Sequence, residues 1–200
     1  AQQPDAPIEK IKLVEGIDLS GLIDQLPNLR HASIDSVIWE AALRDAGARS
    51  LSESLGRYDV VASTCLLTQM IDSVVEGLGN DHADLASLVM ALRNGHLAGL
   101  CDLRAEDGTC LLITDVVSSD TLPALQSREQ NDLFHLVRQA INDRNFFTGA
   151  NPVAIAQRLS SYFDSGSDRV AISKPWRWQM GNRTYAVCCI ASVSTGPAVD

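Results

Sequence analysis

Apolar runs alternate along the chain with stretches whose apolar residues recur at helical spacing. The apolar runs predict strands at residues 11–17 and 29–34, from 58 to about 65, and at 109–117. The helical spacing predicts helices at 22–26, 36–48, 66–77, 81–100, 127–141 and 152–163. Near the end, a turn at 180–183 predicts a hairpin between segments 170–179 and 184–193.

Strands that alternate with helices are typical of an α/β fold. The segment that begins Tyr58-Asp-Val-Val is an almost continuous apolar run between helices, as in a strand covered on both faces. We therefore predict a mostly parallel sheet with helices on both faces and the antiparallel hairpin at one edge. A length of 200 residues favours one domain, with residues 1–9 as a flexible arm.

Several short signals mark the expected ends of these elements. Pro27-Asn28 predicts the end of the helix at 22–26, and Glu106-Asp-Gly108 predicts a turn before the strand at 109–117. Ser127-Arg-Glu-Gln130 has the form of a capping box. Asn151-Pro152 predicts a helix start, with asparagine as the cap and proline in the first turn.

Composition narrows the classes of partner. Hydrophobic residues make up 46% of the chain and aromatic residues only 5%, so the core is expected to be aliphatic. The formal net charge is −9 and the isoelectric point is near 4.8. Such a charge argues against a duplex nucleic acid partner and against an anionic membrane surface. It is compatible with an enzyme that acts on small molecules.

The cysteines and histidines do not suggest a metal site. The chain has five cysteines and four histidines, and neither set shows the spacing of zinc ligands. We expect buried, reduced thiols, with Cys188 and Cys189 on opposite faces of a strand. There is no apolar run of about 20 residues that could span a bilayer, and no signal peptide is recognised. A cytoplasmic protein is therefore expected.

Two acidic residues directly follow predicted strands. Asp18 ends the strand at 11–17, and Asp35 ends the strand at 29–34. A carboxylate in this position can accept hydrogen bonds from the two ribose hydroxyls of a nucleotide. Either acid can equally cap the helix that follows it, and Ser20 offers a further cap beside Asp18. Ser63 and Thr64 lie near the end of the strand that begins at Tyr58, where they can be ordinary turn residues.

The order of these pieces resembles the class I S-adenosylmethionine-dependent methyltransferases, a Rossmann-like family. The resemblance rests on Val14-Glu-Gly-Ile-Asp-Leu-Ser20, on Ser33-Ile-Asp35, on Tyr58-Asp-Val-Val-Ala-Ser-Thr64, and on Asp107-Gly-Thr-Cys-Leu-Leu-Ile-Thr-Asp115. It implies that Asp18 and Leu19 contact the cofactor ribose, Asp35 and Ser36 the adenine, and Ser63 and Thr64 the sulfonium end. It also implies that the last two strands form an antiparallel edge.

One part of the family pattern is missing. The family carries a Gly-rich loop after its first strand, and no such loop stands before Asp18. A central strand cannot be removed cheaply, because its neighbours would lose backbone hydrogen-bond partners. One interpretation is that the chain is the C-terminal part of a longer protein. The other is a different α/β arrangement with a superficial resemblance.

The resemblance implies an enzyme that transfers a methyl group from S-adenosylmethionine to an unidentified acceptor, without a metal. In-line methyl transfer depends on positioning more than on acid–base groups, so no catalytic residue is assigned. The alternatives are a non-catalytic interaction module with a methyltransferase-like fold, and an unrelated nucleotide-handling α/β protein. Cys65 lies at a predicted strand-to-helix turn where a helix dipole lowers a thiol pKa, but no histidine lies near it in sequence.

Overall fold

The computed structural model describes residues 14–15, 17–20, 22, 24, 26–29, 55–163 and 168–194. Short 3₁₀ turns lie at Pro123–Gln126 and Gln130–Asp132. The regular elements, in chain order, are α1 Leu26–Leu29, β1 Tyr58–Thr64, α2 Leu66–Leu78, α3 Leu85–Leu103, β2 Arg104–Ser118, α4 Leu133–Asn142, α5 Pro152–Ser160, β3 Asp168–Ile172, β4 Trp176–Met180 and β5 Arg183–Ser194.

The described strands form one sheet in the order β1-β2-β5-β3, and β4 pairs with the other end of β5. Only β1 and β2 pair in parallel; β5 is antiparallel to β2, to β3 and to β4. The α/β class is confirmed, but the prediction of a mostly parallel sheet is wrong for these strands. The reason is that β5 lies between β2 and β3 and runs in the direction opposite to both. It is also antiparallel to β4, so three of the four described pairings are antiparallel.

The predicted hairpin is present, with its turn at residues 181–182 between β4 and β5. The expected first arm at 170–179 is divided into β3 and β4 by residues 173–175. Pro175 lies in this break. Proline has no backbone N–H, and outside a strand no hydrogen bond of the sheet is lost by its absence. Ser173 bridges the break, because its N–H donates to the Cys189 carbonyl at 2.8 Å and its Oγ accepts from the Cys189 N–H at 2.9 Å.

One face of the sheet forms the core. Alternate residues of β2 and their partners on β5 are buried on this face, among them Leu112, Cys188 and Ile190. Helix α3 lies on the same face, since the Cys110 thiol donates to the Leu100 carbonyl at 3.2 Å. The core is aliphatic, as the composition predicts. No helix within the described ranges is long and apolar enough to cross a membrane.

The opposite face of the sheet is much less covered. Ala62 and Thr64 of β1 are exposed, and Leu111 and Ile113 of β2 are only half-buried. The expectation that helices cover both faces is therefore met for one face in the part of the chain that the structure describes. We call this second surface the open face.

The predictions for the N-terminal part of the chain differ most from the structure. Val14, Glu15 and Ile17 belong to no strand, and Val14 and Ile17 are 44% and 39% exposed. The predicted helix at 22–26 lies partly outside the described residues, and the Leu26 N–H donates to the Leu22 carbonyl at 2.9 Å, as in a helical turn. Its predicted end at Pro27-Asn28 is wrong. Helix α1 begins at Leu26 and includes Pro27 in its first turn, where a missing N–H has no cost. The predicted strand at 29–34 and helix at 36–48 lie largely outside the described residues.

The cap signals have mixed outcomes. Asn151 caps α5 as predicted, since its Oδ1 accepts from the N–H of Val153 at 3.0 Å and of Ala154 at 3.3 Å. The capping box at Ser127 is wrong, because α4 begins only at Leu133, after a 3₁₀ turn. The turn predicted at 106–108 is instead part of β2, next to an irregularity in its pairing with β1.

Gly108 gives a test of this irregular pairing. A Cβ at Gly108 would lie 2.9 Å from the carbonyl oxygens of Tyr58 and Asp59, which are backbone atoms and cannot step aside alone. We expect Gly108→Ala to lower the free energy of unfolding in urea by about 1–3 kcal/mol. At Gly77 of α2 the nearest atoms belong to the flexible Leu26 side chain, so Gly77→Ala should be close to neutral. Equal effects of the two substitutions would contradict this account.

Candidate functional site

The carboxyl ends of β1 and β2 meet at one edge of the sheet because the two strands are parallel. Thr64, the last residue of β1, pairs with Ile113, and Asp115 lies two residues further along β2. Ligands of α/β proteins bind outside the carboxyl ends of parallel strands. We define the strand-end site as Thr64, Cys65, Thr68 and Asp115.

Cys65 makes the turn from β1 into α2 in a left-handed backbone conformation, with φ 52° and ψ 21°. Its N–H continues the sheet ladder by donating to the Ile113 carbonyl at 2.7 Å. A non-glycine residue in this region costs of order 1 kcal/mol and persists only where its surroundings hold it. The turn therefore fixes the start of α2 tightly against the end of β2.

Asp115 holds this turn through its side chain. Its Oδ1 accepts from the Cys65 thiol at 3.5 Å, and its Oδ2 accepts from the Thr68 hydroxyl at 3.1 Å. Burial raises the pKa of Asp115, and the two hydrogen bonds offset only part of that rise. The result is a half-buried carboxyl group that holds a proton more readily than a solvated one.

The surroundings of Cys65 do not favour a nucleophile. Its side chain is 8% exposed, and burial together with the charge and hydrogen bond of Asp115 raises its pKa to about 12. The helix dipole expected to lower this pKa is outweighed. Since the thiolate is the reactive form, Cys65 serves as a structural donor to Asp115.

Ser63 and His96 form a buried pair behind the strand ends. Ser63 Oγ and His96 Nε2 lie 2.8 Å apart, and the side chains line a cavity of about 130 Å³ with Leu19 and Leu66. Burial lowers the pKa of His96 to about 4, so its ring is neutral at pH 7. Sequence reasoning missed this contact, although a histidine within the apolar stripe of α3 was a visible signal.

Asp18 lies in a turn of its own. Its Oδ1 accepts from the Ser20 N–H at 2.9 Å and from the Ser20 hydroxyl at 2.6 Å. The Ser20 Oγ in turn accepts from the Leu22 N–H at 3.1 Å. These contacts are those of an Asx turn and not of the helix cap that the sequence left open, since the first described helix begins at Leu26.

The structure brings together only some of the predicted site residues. Leu19 and Ser63 line the same cavity, while Asp18 and Leu19 line a second cavity of about 150 Å³ against α2. Thr64 is exposed at the end of β1 and lines neither cavity. Asp35 and Ser36 lie outside the described residues. Sequence reasoning did not select Asp115, Thr68 or His96.

The thiols behave as the sequence indicates in one respect. Cys188 is 2% exposed on the core face and Cys189 is half-buried on the open face, so the pair does point to opposite sides of β5. Over the described ranges, no three His, Cys, Asp or Glu side chains are placed to hold a metal ion together.

Comparison of the chain with models of protein families, with curated proteins and with solved structures gives no match. The geometry of the site is therefore the basis for any statement about its function.

The buried His96 predicts a pH dependence of stability. Its pKa is near 6.5 in the unfolded chain and about 4 in the folded protein, so the unfolded chain binds the proton first as pH falls. We expect this group to cost about 2 kcal/mol of stability between about pH 7 and about pH 5. Urea unfolding at both values should show a loss that His96→Gln removes. His135→Gln, at an exposed position, is the control and should leave the wild-type loss unchanged.

Proposed function

We propose that the protein binds S-adenosylmethionine across the strand-end site and transfers its methyl group to a small acceptor. The observation that carries the proposal is the unit formed by β1, the Cys65 turn and α2, laid parallel to β2 with Asp115 at the shared carboxyl end. This unit contains the Tyr58-Asp-Val-Val segment on which the family resemblance rests. The antiparallel pair β3 and β5 at the far end of the sheet also agrees with that resemblance.

The chemistry asks little of the protein beyond alignment. A lone pair of the acceptor attacks the methyl carbon, the carbon–sulfur bond breaks, and its electrons remain on sulfur as the neutral thioether S-adenosylhomocysteine. Holding the acceptor in line with that bond supplies most of the rate. The acceptor also loses a proton, and Asp115 is suited to receive it, because a carboxylate with a raised pKa is the better base.

The candidate cofactor contacts would come from residues next to the Cys65 turn. Thr64 precedes Cys65 and is exposed, and Leu19 and Ser63 line one cavity with Leu66 of α2. Asp18 is oriented by its turn with Ser20 and would hold the ribose from there. The two small cavities are well below the roughly 300–1,000 Å³ of typical ligand pockets, so the cofactor would lie across the strand ends. Asp35 and Ser36 remain the proposed adenine contacts.

The open face supports a second candidate function, a non-catalytic interaction module. Val60 of β1 and Val193 of β5 are 60% and 47% exposed on this face, beside the half-buried Leu111 and Ala191. Contiguous exposed apolar surface is typical of association sites. This candidate predicts self-association without cofactor binding.

Calorimetric titration with S-adenosylhomocysteine separates the two candidates. Methyl transfer predicts saturable one-to-one binding in the micromolar range, of order −8 kcal/mol. Asp18→Asn keeps a side-chain oxygen for the Ser20 turn but removes the charge, and should weaken binding by about tenfold. Asp24→Asn changes the same residue type at an exposed position that lines neither cavity, and is the matched control.

Two outcomes of this titration would contradict the proposal. If the folded wild-type chain gives no heat with S-adenosylhomocysteine and sediments as a stable dimer, methyl transfer is wrong and the interaction module is supported. If Asp24→Asn weakens binding as much as Asp18→Asn, the ribose assignment of Asp18 is wrong.

A further inference from the structure

A groove lies on the core side of the sheet and shares no lining residue with the strand-end site. It has a volume of about 380 Å³ and runs between α4, α5 and residues 172–175. Val116 and Cys188 form its floor. Val116 follows Asp115 in β2, where the pairing of β2 with β5 is irregular between Asp115 and Val117, so the groove and the strand-end site are neighbours along β2. This volume is within the range of small-molecule pockets.

The walls of the groove are apolar and open to solvent. Phe134 of α4, Val153 of α5 and Ile172 of β3 are 47%, 49% and 41% exposed, and all three line it. Scattered apolar side chains on a surface are ordinary, but three that converge on one concavity offer a binding surface. Their burial by a ligand would release water from each wall.

The rim at residues 173–175 is held in place. Ser173 exchanges two hydrogen bonds with Cys189, through its N–H and its Oγ. On the other side, the Gln130 Nε2 donates to the Pro175 carbonyl at 2.8 Å. A rim that is already fixed loses little freedom when a ligand binds, which favours affinity.

The charge of the groove is opposite to that of the chain. Arg138 and Lys174 line it, and none of the described residues that line it is Asp or Glu, whereas the whole chain carries −9. A guanidinium and an ammonium beside an apolar channel are complementary to a ligand with an apolar body and an anionic head. Arginine in particular matches the two oxygens of a carboxylate.

We propose that this groove binds a medium-chain aliphatic carboxylate, with the alkyl chain against Phe134, Val153 and Ile172 and the carboxylate at Arg138 and Lys174. The site is separate from the strand-end site and does not depend on methyl transfer. Its occupant is a small amphipathic anion, and the same alkyl chain with a cationic head would bind more weakly.

The test is calorimetric titration of the full chain with sodium decanoate and, in parallel, with decyltrimethylammonium. The proposal predicts saturable one-to-one binding of decanoate and at least about tenfold weaker binding of the cation. The net charge of the chain favours the opposite order, so non-specific adsorption cannot imitate this result.

Two pairs of variants locate the ligand. Arg138→Gln with Lys174→Gln should weaken decanoate binding by about three- to tenfold. The control, Arg57→Gln with Arg169→Gln, removes the same charge at exposed positions outside the groove and should leave binding unchanged. Val153→Trp should fill the groove and abolish binding. Val193→Trp, at an equally exposed valine on the open face, should not.

The proposal is overturned if the cation binds as tightly as decanoate, or if the Arg138 and Lys174 variant binds like its control. Circular dichroism of each variant confirms folding before titration. Should Val153→Trp fail to fold, the two charge variants alone decide, since both change exposed side chains.

Discussion

The structure depends on the pairing of β2 along both of its edges. This 15-residue strand takes β1 in parallel on one side and β5 antiparallel on the other, and its alternate side chains form the middle of the core. The parallel pairing places the Cys65 turn beside Asp115. The antiparallel pairing brings Cys188 to the floor of the groove. Both proposed sites are thus consequences of how one strand is paired.

Neighbouring residues of β2 contribute to the two sites. Asp115 is held by Cys65 and Thr68 at the strand-end site, whereas Val116 points into the groove under α4. The two environments differ in character. Partial burial gives the strand-end site a carboxyl group with a raised pKa, and the groove combines apolar walls with two cations. The strand-end site therefore suits a reaction at a polar group, and the groove suits the binding of an amphipathic anion.

Features encoded within a few residues were predictable from the sequence. The β-branched run at Tyr58, the helices that follow it and the Asn151 cap are all of this kind. An apolar stretch such as Val14–Ile17 was not enough, because Asp18 and Ser20 draw the adjoining backbone into a turn. The pairing of β5 with β2 was also out of reach, since an apolar period describes a strand and not its partner.

The sites were the least predictable part. His96 meets Ser63 across 33 positions, and Cys65 meets Asp115 across 50. Contacts of that separation come from topology, and a sequence pattern gives only the residues. The groove joins residues from two helices, three strands and a connecting segment, none of which carries a signal alone. Asp115 could have been noticed only as a lone acid inside an otherwise apolar strand.

The central claim is that the strand ends of β1 and β2 bind the methyl-donor cofactor. Amide chemical shifts of the isotope-labelled chain, followed during titration with S-adenosylhomocysteine, test it most directly. The account predicts concentration-dependent shifts at Thr64, Cys65 and Asp115, with Phe134 and Val153 unchanged. Shifts confined to the groove, or no shifts at saturating ligand, would contradict it.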